Sequence, residues 1–234
     1  MLDLVDILLN IHLYPGQNPV LMICGLDEAG RGPVMGPLVV AAVLVEDDRL
    51  FREWGVKDSK MHRPEERERL ADLIMAHSSW RVVVIGPDSI DGRKGTTSLN
   101  TLEIRAFASL IDELRPEKAY VDACDVSERN FKAALARATR CRVDLVCEHK
   151  ADENYPVVSA ASIVAKVRRD QEMRRIGEEL GDVGSGYSSD PRTRAFLENW
   201  IREKGDLPPY TRRSWATAKE MLGASKISKL SDWE

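Results

Sequence analysis

Five short apolar runs, at residues 22–27, 38–45, 80–85, 118–124 and 141–147, constrain this chain most, because of what separates them. Only a turn divides the first two runs. One stretch of helical spacing, 64–77, precedes the third. Its Leu70, Leu73 and Ile74 share a face, and Glu65 and Glu66 occupy the first turn, where a helix dipole favours acids. From there the pattern alternates, with helical stretches at 99–114 and 127–139 between the last three runs. Strands joined by short turns pair antiparallel, and strands joined through a helix pair parallel. The order therefore predicts an α/β fold: a mixed β-sheet flanked by helices. Residues 86–95 read as a loop with Gly and Pro punctuation. After the fifth run come a polar loop, a long helix over 157–180, a Gly/Ser loop at 181–189, and helices over 191–204 and 211–222.

A chain of 234 residues, 43% hydrophobic, can bury the core of one domain with a smaller appendage. The four cysteines, Cys24, Cys124, Cys141 and Cys147, form no CxxC pair, so free thiols in a reducing compartment are expected and a zinc motif is not. The N-terminal stretch is apolar but short, is interrupted by Asp3 and Asp6, and lacks a basic start and a small-residue cleavage site. No run is long and apolar enough to span a bilayer, so a cytoplasmic protein with no membrane partner is expected. A formal net charge of −4 does not advertise a nucleic-acid binder. Four carboxylates neutralised by two divalent cations would account for that deficit.

The acids carry the chemistry. "GLDEAGRGP" places Asp27 and Glu28 side by side at the end of the first run. Successive strand residues face opposite ways, so the two share a cation only if the strand ends there. Gly30 and Gly32 permit such a turn. "AYVDACD" sets Asp122 in an apolar run, where an ionised carboxylate is costly unless paired or metal-bound. "HKADENYP" puts Asp152 just before the long helix, as a turn or capping acid or as a further ligand. Asp125, Asp144 and Glu148 read as solvated or structural. Oxygen-only ligands without a histidine cluster suit Mg²⁺ or Mn²⁺. Several carboxylates sharing two such ions are the parts for in-line phosphoryl displacement.

At this point the chain resembles a known family. "GLDEAGRGPVMGPLVVAAV", "KDSK", "YVDACD", "KADENYPVVSAASIVAKVRRD" and "GSGYSSDP" occur in the order found in ribonuclease HII, the type 2 ribonuclease H, and "TRRSWATAKE" points to the archaeal branch. The resemblance covers about residues 22–222. It implies a ribonuclease H-like fold with a helical C-terminal extension, in three parts: a short N-terminal extension of open status over 1–21, a catalytic domain over 22–184, and a helical substrate-binding part over 185–234. It implies an endonuclease that cleaves the RNA strand of RNA/DNA hybrids and the 5′ side of ribonucleotides embedded in duplex DNA, leaving 3′-hydroxyl and 5′-phosphate ends. The family's catalytic and metal-binding acids fall on Asp27, Glu28, Asp122 and Asp152.

The same resemblance assigns substrate contacts. Gly30, Arg31 and Gly32 match the loop that reads the ribonucleotide junction. Glycines let backbone amides approach sugar and phosphate, and the 2′-hydroxyl separates RNA from DNA. Tyr187 matches a tyrosine placed against the sugar after the ribonucleotide, although on spacing alone it reads as a surface loop residue. Lys60, in "KDSK" with Asp58, lies near the substrate backbone in the family and is otherwise a solvated turn lysine. Lys166, Arg169, Arg212 and Arg213 are candidate phosphate contacts. Lys166 and Asp170 also have the spacing of a helix-surface pair. A monomer is expected, and the tail "SKISKLSDWE" lacks a QxxLxxFF-type motif, so no sliding-clamp partner is expected. A junction resolvase would share clustered acids but would not need Gly30-Arg31-Gly32 and Tyr187 as ribose readers. A hybrid-binding module without activity would tolerate loss of the acids.

Overall fold

The computed structural model describes residues 21–57, 62–92 and 97–231, with side chains described through residue 224. Five strands form one sheet in the order β3-β2-β1-β4-β5. They are β1 (Ile23–Ala29), β2 (Leu38–Val45), β3 (Ser79–Ile85), β4 (Lys118–Asp122) and β5 (Asp144–Glu148). β1 pairs antiparallel with β2, and β2 antiparallel with β3. β4 lies parallel to β1, and β5 parallel to β4. The expected mixed sheet is thus present, its early strands antiparallel and its later ones parallel; β2 and β3 pair antiparallel even though helical chain lies between them.

Every residue of β2 is buried, because helices cover both faces of the sheet. One face packs α2 (Pro64–Ala76) and the 25-residue α7 (Pro156–Leu180) over Val39, Ala41 and Val43. The other packs α4 (Leu99–Leu114) and α5 (Glu128–Ala138) over Cys24, Leu26, Val40 and Ala42. A third core joins Val34 and Met35 to Met173 and Ile176 of α7 and to Leu197 and Ile201 of α8 (Pro191–Lys204). It therefore draws on both sides of residue 184.

One glycine sets how closely α7 approaches the sheet. A Cβ on Gly25 would lie 2.1 Å from the Val157 carbonyl oxygen and 2.5 Å from the Val158 nitrogen. Only a bare backbone there lets the first turn of α7 rest directly on β1.

Several boundaries differ from the sequence reading. β1 does not stop at Asp27. Pairing with β2 carries it to Ala29, opposite Val39. β4 ends at Asp122 and β5 runs Asp144–Glu148, each shifted from the apolar run by its partner's register. Short helices α1 (Arg49–Glu53), α3 (Pro87–Asp91) and α6 (Ala151–Asn154) occupy stretches without a helical apolar pattern. The last helix, α9, spans Ala216–Ser231 and leaves 211–215 to a loop that bridges Met35 and Thr211. Lys60, Asp58 and residues 1–20 lie outside the described residues.

Candidate active site

Strand alternation sends Asp27 and Glu28 to opposite faces. Asp27 shares the α7 face with Ile23 and Ala29, and Glu28 the α4 face with Cys24 and Leu26. The strand end at residue 27 that was expected to unite them is absent. What unites the acids is β4. Leu26 pairs with Val121, so Asp122 follows directly beside Asp27. Asp122 Oδ1 accepts from the Ala151 amide at 3.0 Å, which fixes α6 against the end of β4. Asp152, the next residue, is consequently buried at the same place. Ser159 donates to the Asp152 carbonyl and ties α6 to α7. The tight seat of α7 on Gly25 therefore governs where Asp152 stands.

The electrostatics follow from this crowding. Burial, then the neighbouring Asp122, pushes the Asp27 carboxyl up to about 8, with Asp152 adding to the rise. Ser162 of α7 and the Glu28 amide, at 2.7 Å, donate to Asp27 and oppose the shift. Burial, Asp27, Glu103 and Asp122 hold Glu28 well above the usual carboxylate range, against the pull of Arg31. Glu28 Oε2 is buried with no hydrogen-bond partner among the described residues. Asp27 and Glu28, which resist ionisation, stand with Asp122 and Asp152 as a set of oxygen donors that fits hard divalent cations.

The junction loop lies next to these acids. Arg31 pairs with Glu103 of α4 and also reaches Asn100, which in turn donates to Asp125 at 3.0 Å. Glu103 is fully buried. It takes a position of the apolar face of α4, with Phe107, Leu110 and Ile111. The argument that singled out Asp122 would have found it, but the sequence reading passed over it. Tyr187 is 38% exposed, and a Cβ on the exposed Gly32 would meet its ring at 3.8 Å. The fold thus brings Gly32 and Tyr187 together from residues far apart in sequence.

Two candidate phosphate contacts are placed otherwise than expected. Arg169 and Arg212 are 1% and 0% exposed. Arg212 donates to the carbonyls of Gly30 at 2.6 Å, Arg31 at 2.9 Å and Gly36 at 3.0 Å. It braces the loop from beneath. Arg169 donates to the Ser185 carbonyl at 3.0 Å, and its guanidinium carbon lies 5.1 Å from the Tyr187 ring centre. A phosphate contact by either would require undoing that burial. Gly30, at φ +94°, admits the Arg169 chain, which would lie 2.5 Å from a Cβ there. Lys166 pairs with Asp170 on the helix surface. Arg213 is half exposed and makes a two-point contact with Asp206 at 2.8 and 3.0 Å. A groove that opens at Asp152 is lined also by Arg52 and Lys57, two basic residues the sequence reading left aside.

Comparison with known proteins gives the family and the fold. The model of the ribonuclease HII family matches residues 24–218. Ribonuclease HII of Pyrococcus abyssi is 44% identical over 215 residues, which cover 90% of this chain and 95% of that protein. The crystal structure of ribonuclease H2 from Pyrococcus horikoshii superposes with a TM-score of 0.82 at 38% identity, covering 88% of this chain and 99% of that one. The ribonuclease HII of Archaeoglobus fulgidus, solved as a complex with PCNA, gives 0.79 at 44% identity, with 85% and 96% covered. Bst-RNase HIII in complex with Mn²⁺ gives 0.75 at 25% identity, with 89% and 71% covered. The Archaeoglobus complex removes support from the expectation, drawn from the tail motif, that a sliding clamp is no partner. With a matching family model, matching relatives and a matching fold, this chain belongs to the ribonuclease HII family of metal-dependent endonucleases.

Proposed function

We propose that the chain hydrolyses the RNA strand of RNA/DNA hybrids and cuts on the 5′ side of a ribonucleotide embedded in duplex DNA. The products are a 3′-hydroxyl and a 5′-phosphate. The observation that carries this reading is the buried acid cluster beside an exposed Gly32–Tyr187 pair.

Asp27, Glu28, Asp122 and Asp152 would hold two Mg²⁺ or Mn²⁺ ions. Such ions activate water and neutralise the leaving oxygen. The protein supplies the rest. Ser162 and the Glu28 amide orient Asp27. The Ala151 amide orients Asp122. Gly30, Arg31 and Gly32 contact the ribose and its phosphate, held in place by Arg212. Tyr187 packs against the following sugar, with Arg169 behind its ring. Lys57, Lys166 and Arg213 are left as surface charges for the duplex backbone, and the family resemblance adds Lys60 to these contacts. Residues 22–184 act as the catalytic part and 185–234 as a helical duplex-holding part, in a monomer working in the cytoplasm. The four described cysteines are free, as that compartment requires. Among the described residues no helix is long and apolar enough to cross a membrane.

The test is cleavage of end-labelled duplex DNA carrying one internal ribonucleotide, with Mg²⁺, Mn²⁺ or chelator, beside an all-DNA control. One metal-dependent cut on the 5′ side is expected. Tyr187→Ala should slow that cut by about 10-fold, the worth of one lost stacking contact, while stability changes by no more than about 0.5 kcal/mol. Cutting of long hybrids alone would refute the junction reading of Arg31 and Tyr187. No cut of either substrate by folded protein would refute the hydrolytic reading.

A further inference from the structure

The second acid cluster lies on the α4 side of the sheet, and the hydrolytic reading gives most of it no task. One ligand atom each of Glu28, Glu103 and Cys124 lies within 4.8 Å of the others. Cys124 Sγ donates to Glu103 Oε2 at 3.2 Å, and Arg31 reaches the same oxygen. Glu103 Oε1 and Glu28 Oε2 are both buried without a hydrogen-bond partner among the described residues. Glu103 is 0% exposed. Leaving a buried acceptor unmet is costly, and more so when it is charged. Arg31 brings one positive charge to two acids, so a second positive centre between the orphaned oxygens would be stabilised.

We propose that Glu28, Glu103 and Cys124 form a binding site for a thiophilic divalent cation of the Zn²⁺ or Cd²⁺ type, and that filling it inhibits the nuclease. The inhibition rests on the function proposed above; the site does not. One sulfur and two carboxylate oxygens suit a soft or borderline cation. Mg²⁺ prefers oxygen alone, so the Cys124 sulfur favours the softer cation, and Glu28 is shared between the two sites. The cysteine spacing could not show this site, since its ligands come from β1, α4 and the residues just past β4. On binding, a sulfur–metal bond replaces the S–H bond of Cys124, and the proton leaves to solvent. The cation takes Glu103 from Arg31, whose side chain is 35% exposed and has solvent to turn into. It also takes Glu28 from the hydrolytic set. Inhibition therefore removes a junction contact and a catalytic acid together.

The experiment is a Cd²⁺ titration of the full chain in excess Mg²⁺, following ultraviolet cadmium–thiolate absorption and cleavage in parallel. The absorption should saturate at one equivalent, and cleavage should fall by at least about 10-fold as it does. Cys124→Ala should abolish the absorption and raise the inhibiting Cd²⁺ concentration by about 10–100-fold, with the Mg²⁺-supported rate kept. Cys124→Ser retains a donor for Glu103 and replaces the alanine variant if that one misfolds. Cys141→Ala should change neither reading. Absorption that survives loss of Cys124, or equal inhibition of variant and parent, overturns the proposal. A Cys124-dependent absorption in a chain that cuts neither substrate would uphold the site and overturn the hydrolytic reading.

Discussion

The two faces of one sheet carry similar acidic loads and neutralise them differently. On the α7 face, Asp27 stands beside Asp122 and Asp152 and receives neutral donors, Ser162 and a backbone amide. On the α4 face, Glu28 stands beside Glu103, and a guanidinium lies against them. An arginine is a permanent cation in a fixed fork geometry. Hydroxyls and amides only orient a carboxylate, and leave its charge for an ion to meet. The acids of the α7 face thus keep their charge for an ion to meet, while on the α4 face Arg31 already meets part of it, and a cation there has to displace the guanidinium.

The largest expected effect tests the α7 face. Asp122→Asn should lower Mg²⁺-dependent cleavage by at least about 10²–10³-fold, while hybrid binding remains measurable by fluorescence anisotropy. It should also raise the melting temperature in chelator, because one of two crowded charges is gone. A normal cleavage rate would break the metal assignment.

A smaller effect tests the α4 face. Glu103→Gln keeps an oxygen for Arg31 but removes the charge. Cleavage at a single ribonucleotide should fall by about 10-fold, the worth of one charge-assisted hydrogen bond. Stability should stay within about 1 kcal/mol, since a buried charge and its partner's attraction are lost together. Equal losses on long hybrids and single ribonucleotides would show that Glu103 serves the whole site and not the junction loop.

A separate readout is a pH slope. In the folded chain Asp27 titrates near 8 instead of at 3.8. Between these values the folded state keeps a proton that the unfolded state has released. The unfolded state binds fewer protons, so stability in chelator should fall as pH rises through that window. Urea midpoints measured in chelator at about pH 5 and about pH 8 should show the fall, and added Mg²⁺ should flatten it. A midpoint that rises with pH would place the buried charge elsewhere.

Much of this was legible in the sequence. The β-rich early section and the alternating later section foretold the antiparallel and parallel halves of the sheet, although the helix before β3 does not make its pairing parallel. Asp122 was visible as an acid in an apolar strand. Glu103 was equally visible on the apolar face of its helix, and was missed because helical acids are usually solvated. Arg212 could not be read locally. Its carbonyl partner on Gly30 lies 182 residues away, and no local pattern marks a basic residue as buried. The extent of β1 escaped because strand ends are set by the partner, here Val39, and not by the two acids.

The seat of α7 on Gly25 has a consequence for the spacing of two parts of the molecule. One stiff rod carries Ser162, beside the acids, and Arg169, beneath the Tyr187 loop. They stand two helical turns apart, about 10 Å. The rod fixes the interval between the acid cluster and the Tyr187 loop. Adding one residue between the two marks would turn one of them by about 100°, so this interval can change only by whole turns or not at all.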